Sequence, residues 1–343
     1  MKLVQRAMFF LAIAGFVTVH PAPAQLVETV QVGNAGNAGD TRFPNAGAPN
    51  IGKVDYDFRI SKFEVTAKQY TMFLNAVAAS DPHGLYNPSM GNTTGGVVSG
   101  ANIQRSGKPG SYTYSVPDDW ADRPVNYVSW GDAARFANWL QNGQPTGPQS
   151  LTTTEDGAYH LNGATSIAQL MAVTRRPTAA WAIPTESEWY KAAYHKNDGL
   201  GSNYWNYPTA SNNTPSSVLG NPSDPGNNAT FSNPGMTIGP PYYRTVVGSH
   251  ENSESPYGTF DQGGNVWEWN ETAFASLNRG IRGGGYESIH SDLYAALRNY
   301  TRPTTEAHYI GFRIVGIPEP STAVLLIAVT AFTRRRRRQP VRN

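Results

Sequence analysis

The chain has 343 residues, 39% of them hydrophobic and 15% charged, enough to bury one large core or two modest ones. Its formal charge is +2, but the six arginines at 334–338 and 342 mask a body of −4, which leaves no basic stripe for nucleic acid. There is no cysteine, which excludes a disulfide framework, a thiolate metal site and a thiol nucleophile.

The N-terminus reads as a secretory signal peptide over 1–24. Lys2 and Arg6 precede an apolar run from Ala7 to Val19, and Ala22-Pro23-Ala24 supplies small residues for cleavage. Residues 25–49 form an N-terminal extension, and one domain is predicted over 50–317, because neither a repeat nor a linker interrupts it. A strand is expected at 57–61. The first helix follows at 67–78, capped by Thr66 with Gln69 answering from the third position, and Ala67, Tyr70, Phe73, Leu74 and Val77 share one face. A second helix starts after Ser129, turns Trp130, Ala133, Phe136, Ala137 and Leu140 inward, and ends at Gly143. A third carries the Thr185-x-x-Glu188 capping box, with Trp189, Ala192 and Ala193 inward. Further strands are expected at 244–248, 281–286 and 310–316. Between these elements run long Gly/Asn/Ser/Pro stretches at 80–118, 142–180 and 197–242, a length that is unusual unless the loops are functional or held in place.

At the C-terminus, Pro318-Glu319-Pro320 precedes an apolar helix over about 322–332 and then the arginine block. At about 1.5 Å per residue that helix falls short of a hydrocarbon core of about 30 Å, and the arginines would hold on the cytoplasmic side. In this order the three features of 318–343 resemble the PEP-CTERM sorting signal of Gram-negative bacteria. That resemblance implies export, an exosortase and secretion machinery as partners, and transient membrane anchoring by the helix. It also implies delivery to the cell envelope or extracellular matrix.

The stretch "GTFDQGGNVWEW", Gly258–Trp269, sets Asp261 and Glu268 around two glycines and two tryptophans. Three readings are open: an acid/base pair, a hydrophobic turn with surface acids, or a hard-cation loop. The last would draw on carboxylates and on carbonyls turned inward by the glycines, with the trailing tryptophans keeping water out.

Six segments in order, "FRISKFEVTAKQYTMFLNA", "RPVNYVSWGDAARFANWL", "AIPTESEWYKAAY", "FDQGGNVWEWNET", "IRGGGYES" and "GFRIVG", resemble the formylglycine-generating enzyme family, or sulfatase-modifying factor domains. The resemblance implies a single α+β, C-type-lectin-like domain with little regular structure and long loops. It also implies a structural calcium site at Asp261 (side chain), Gly264 and Val266 (carbonyls) and Glu268 (side chain), and a second one around Asn228 and Ala229.

Active members are copper-dependent oxidases with two cysteines after the turn that reads "GGGYES" here. Those positions fall at about Ser288 and Leu293, so copper is not expected and neither is the oxidase reaction. Ser288, His290 and Asp292 spell a triad, but neighbours in one turn lack triad geometry. Arg282 and Arg313 are expected in buried structural contacts. Tyr286, Ser288 and His290 remain as candidates for a cleft, with Tyr204, Trp205 and Tyr207 nearby. The expectation is an exported, calcium-stabilised domain that binds a peptide, polysaccharide or protein without catalysis. The alternative is an enzyme with altered chemistry acting on a secreted substrate.

Overall fold

The computed structural model describes residues 26–44, 49–219 and 226–317; the segments read as a signal peptide (1–24) and a sorting signal (318–343) lie outside them. In chain order the elements are β1 (Thr29–Val32), β2 (Phe58–Ser61), α1 (Ala67–Val77), β3 (Gln104–Ser106), β4 (Thr113–Ser115), α2 (Asp118–Ala121) and α3 (Trp130–Gln141). They continue with α4 (Ile167–Ala172), β5 (Trp181–Ala182), α5 (Glu186–Tyr194), β6 (Trp267–Phe274), β7 (Asn278–Arg282), β8 (Asn299–Thr301), β9 (Ile310–Gly311) and β10 (Val315–Gly316).

The three expected helices form where their caps place them. Thr66, Ser129 and Thr185 each accept the amide three residues on, and Gln69, Asp132 and Glu188 answer with their side chains. The apolar stripe of α1 is buried as read, and α3 goes further, with every residue from Trp130 to Leu140 buried. A stripe alone does not anticipate that, because the polar positions Asp132, Arg135 and Asn138 are buried on partners of their own.

Of two four-stranded sheets, one has the order β1-β2-β10-β5 and is antiparallel and the other runs β8-β7-β6-β9, with β9 parallel to β6; β3 and β4 form a separate antiparallel pair. The stretch 25–49, read as an extension, supplies β1, which pairs with β2 from Thr29–Ser61 to Val32–Phe58. The folded unit therefore begins before residue 50. No strand forms at 244–248; that segment is fixed through side-chain contacts, such as Thr245 to Asn265. The strand expected at 281–286 lies earlier, at 278–282, because Gly283 (φ 100°) and Gly284 (φ 77°) leave the extended region. The one at 310–316 is split into two pairs of residues, one for each sheet. α1, α3 and the two four-stranded sheets share one core containing Tyr70, Phe73, Phe136, Trp269 and Phe312.

Candidate functional site

The loop entering β6 is wound tightly, with Asp261 at φ 58°, Gly264 at 91° and Asn265 at 57°. At Gly264 only glycine fits, because a Cβ would lie 2.2 Å from the Thr230 carbonyl oxygen. The Gly264 amide donates to the Gly283 carbonyl at 3.0 Å and the Asn265 amide to the Thr230 carbonyl at 2.8 Å. The loop is thus pinned between the glycine turn after β7 and the segment around Thr230.

Glu268, the second residue of β6, is fully buried. Arg313 Nε donates to its Oε2 at 2.5 Å and Arg313 Nη2 to its Oε1 at 2.7 Å, while the Trp189 indole N–H donates to Oε2 at 2.7 Å. A carboxylate offers about four lone-pair sites, so these three donors leave one, on Oε1. Asp261 accepts the Gly248 amide at 2.6 Å. Its residue surface is only partly buried, but the surrounding protein pushes its carboxyl up to about 6.

A third carboxylate, Glu64, joins this pair from the link between β2 and α1. It is 1% exposed and neither of its oxygens has a hydrogen-bond partner. Burial holds its carboxyl well above the usual carboxylate range, and Asp261 and then Glu268 push in the same direction. Nothing in the sequence around Glu64 signals this, since its charged neighbours come from distant loops.

When ionised, these three carboxylates face the single guanidinium of Arg313. A hard divalent cation seeking oxygen ligands fits that excess of negative charge. Asp261 and the free lone pair of Glu268 are suitable donors. Among the described residues no three acidic or histidine side chains converge closely enough to hold an ion alone, so carbonyls such as those of Gly264 and Val266 are needed. The tryptophans expected to shield the site do not. Trp267 and Trp269 alternate with Glu268 along β6 and so face the other side, and Trp269 donates to the Val128 carbonyl at 2.9 Å. Trp189 of α5 covers Glu268 instead.

At the second expected site, Asn228 and Ala229 are both buried. The Asn228 amide donates to the Ser253 hydroxyl at 2.9 Å and the Ala229 amide to the Ser216 carbonyl at 2.9 Å. These contacts tie the segment to its neighbours and bring no carboxylate from the described residues to it.

The two positions at which the family resemblance puts cysteines do come together. Ser288 Cβ and Leu293 Cδ1 lie 3.3 and 2.9 Å from where a Cβ on Gly284 would stand. The Ser288 hydroxyl accepts the Gly285 amide at 3.0 Å, and Leu293 is fully buried with Tyr207, Ala229 and Phe231. A hydroxyl so engaged and an isobutyl group do not fit Cu(I), which selects soft thiolates.

Tyr286, Ser288 and His290 do not form one cleft. Tyr286 is fully buried and donates its hydroxyl to the Val97 carbonyl, and Ser288 is 6% exposed. His290 is exposed, and no hydrogen bond links it to Ser288 or Asp292, whose carboxylate accepts the Ile289 amide. An open cavity of about 310 Å³ is lined by His290 with Tyr207, Ser291, Tyr294, Ala296 and Leu297. Tyr204 is buried, and Trp205 lies under the Lys196 ammonium at 4.2 Å. Arg282 is structural as expected, donating to Glu186 at 2.8 Å and to the Ala295 and Leu297 carbonyls.

Residues 17–317 match the family model described as the sulfatase-modifying factor enzyme 1-like domain. The chain belongs to that family. Its fold is the α+β, C-type-lectin-like one, with few helices, mixed sheets and long loops. Among curated proteins, none matches this sulfatase-modifying-factor domain by sequence. Three solved structures are distant likenesses of it. CarF is 23% identical at a TM-score of 0.49, covering 86% of this chain and 100% of its own. The variable protein 1 of Treponema denticola is 17% identical at 0.46, covering 84% and 95%. PvdO from Pseudomonas aeruginosa is 16% identical at 0.44, covering 85% and 92%.

Proposed function

We propose that this chain is an exported, surface- or matrix-associated binding domain, stabilised by calcium and without the copper oxidase chemistry of active relatives. The observation that carries this reading is the pair Ser288 and Leu293. They stand together where that chemistry needs two thiolates, and the chain has no cysteine to supply elsewhere. Asp261, Gly264, Val266 and Glu268 would hold the calcium ion. Its charge would offset the buried carboxylates and fix the loop against α5 through Trp189. Export rests on the features of 1–24 and 318–343, with an exosortase as the sorting partner. Ligand contact falls to the rim around His290, Ser291 and Tyr294, where tyrosine faces can stack on sugar rings or peptide groups.

The mature domain, incubated with copper, oxygen and a cysteine-containing sulfatase-type peptide, is expected to yield no formylglycine. Formylglycine in that mixture would overturn the non-catalytic reading in favour of an enzyme with altered chemistry. A glycan and peptide binding screen of the wild type against Tyr294→Ala tests the rest. Binding lost in the variant supports the rim as the contact surface, and silence in both removes it.

A further inference from the structure

Arg135, Arg282 and Arg313 are each buried on a glutamate: Glu155, Glu186 and Glu268. Arg244 is buried as completely and has no carboxylate partner among the described residues. Its Nη1 and Nη2 donate to the Ser99 and Gly100 carbonyls at 3.0 and 2.6 Å, and its Nε–H meets no acceptor. Burial pulls the guanidinium down to about 10, and the neighbouring Arg123 acts in the same direction.

The two carbonyls over this charge continue an exposed segment, 92–98, which carries no acid. Toward that segment the body of the domain turns donors alone. The Tyr286 hydroxyl donates to the Val97 carbonyl, the Tyr127 hydroxyl to that of Val98 at 2.6 Å, and the Asn126 amide to that of Ser99 at 3.0 Å. Val97 and Val98 are 41% and 39% exposed, so little apolar burial holds the tip. Gly100 is fixed, since a Cβ there would lie 2.1 Å from the Ser89 carbonyl oxygen, whereas Gly95 and Gly96 give the tip a hinge.

Two further observations point to a ligand. Asn126 Oδ1 is buried without a partner, and Asn126 shares the Ser99 carbonyl with Arg244, so an unused acceptor neighbours the unused donor. Tyr127 and Tyr243 both stand at φ 57°, the only aromatic residues in the left-handed region among the described residues, and Tyr243 packs 6.0 Å from Tyr286. Bulky residues held so are strained, and such strain gathers at ligand clamps and switch regions.

We infer that the 93–98 tip is a lid over a binding site for a carboxylate with a hydroxyl on the adjacent carbon. With the tip lifted, the carboxylate takes Arg244 Nε–H and the Tyr286 and Tyr127 hydroxyls in place of the Val97 and Val98 carbonyls. The ligand's hydroxyl donates to Asn126 Oδ1. One guanidinium balances one negative charge, which favours a carboxylate over a phosphate dianion. Glu287, the acid that acts on Tyr286, lies 3.1 Å from His308 Nε2. The site shares no residue with the rim at His290 and stands whether or not that rim binds.

The chain has no cysteine, so a single dye on Val97→Cys reports the tip in the full-length protein. Glycolate should change its emission saturably, sodium chloride of equal ionic strength should not, and the isosteric propionate should bind more weakly. Tyr286→Phe and, at a half-buried position, Tyr127→Phe should speed hydrogen exchange at the Val98 and Ser99 amides. Both should also weaken glycolate about tenfold, the scale of a lost hydrogen bond to a charged group, as should Arg244→Lys. A hydroxyl that merely latches the loop would instead speed exchange and leave glycolate as tight or tighter, because the open form is more populated. No saturable response of the wild type to glycolate overturns the inference and leaves the two unpartnered atoms to buried water. Glycolate affinity unchanged in all three variants puts the binding elsewhere and overturns it too. Propionate as tight as glycolate rejects the hydroxy acid.

Discussion

Helix α5 and the link between β2 and α1 both bury glutamates, and the protein treats them in opposite ways. On α5, Glu186 takes Arg282 and Arg298, and Glu188 takes both forks of Arg175 at 2.9 Å along with the Thr185 amide and the Tyr56 hydroxyl. Burial pushes both carboxyls up, but the arginines more than reverse it and leave them below the usual range. Glu64 is buried as deeply with no donor, and Asp261 has one amide, so both stay raised. Burial alone therefore does not set the charge state; the supply of donors does. The α5 acids are complete within the fold, whereas among the described residues no arginine donates to Glu64 or Asp261.

The largest effect is expected from breaking the completed side. Arg175 also binds Glu271 at 2.9 Å, so Arg175→Ala strands two acids, Glu188 and Glu271. Its cost in urea unfolding should be about 3–5 kcal/mol, the scale for removing one partner from a buried pair. A loss under about 1 kcal/mol would mean that these pairs do not close the fold, and the contrast with Glu64 would collapse.

A smaller, pH-dependent effect comes from a third group of acids. Burial raises Asp132 to about 6 and Glu306 to about 8, with Asp132 itself adding to the latter; Asp81 and the amide of Asn87 also face Glu306. The folded protein binds these protons more tightly than the unfolded chain. Their stabilisation is thus full below about pH 4 and is lost as pH rises through 6 to 8. Melting temperatures taken in chelator should fall across that window, and Glu306→Gln should flatten the fall. A rise with pH would contradict the assignment.

Much of the scaffold was legible because its signals are local. The capping boxes at Thr66 and Thr185 and the Ser129 cap announced three helices, and a fourth box, Ser166 with Gln169, announces α4 to a reader who looks for it. Strands of two or three residues, such as β5, β9 and β10, carry too little alternation to be read, and β1 is visible only through its pairing with β2. At the site, Asp261 and Glu268 stood out because glycines and tryptophans surround them. Glu64 did not, since its orphaned state depends on Arg313, far off in the chain, whose donors all go to other acceptors. The family resemblance puts Tyr286 and Ser288 at a cleft, but the glycine turn directs them inward.

The most direct test of the account is the melting temperature of wild type and Asp261→Asn in calcium and in chelator. The asparagine still tolerates a positive φ but carries no charge, whereas removing Glu268 would strand the buried Arg313 and confound the result. Calcium at a hundredfold excess over Kd should add about 2.7 kcal/mol to the wild type, seen as a melting temperature several degrees above that in chelator, with a clearly smaller gap in the variant. Identical wild-type melting in calcium and in chelator would contradict the claim that this loop is completed by a cation.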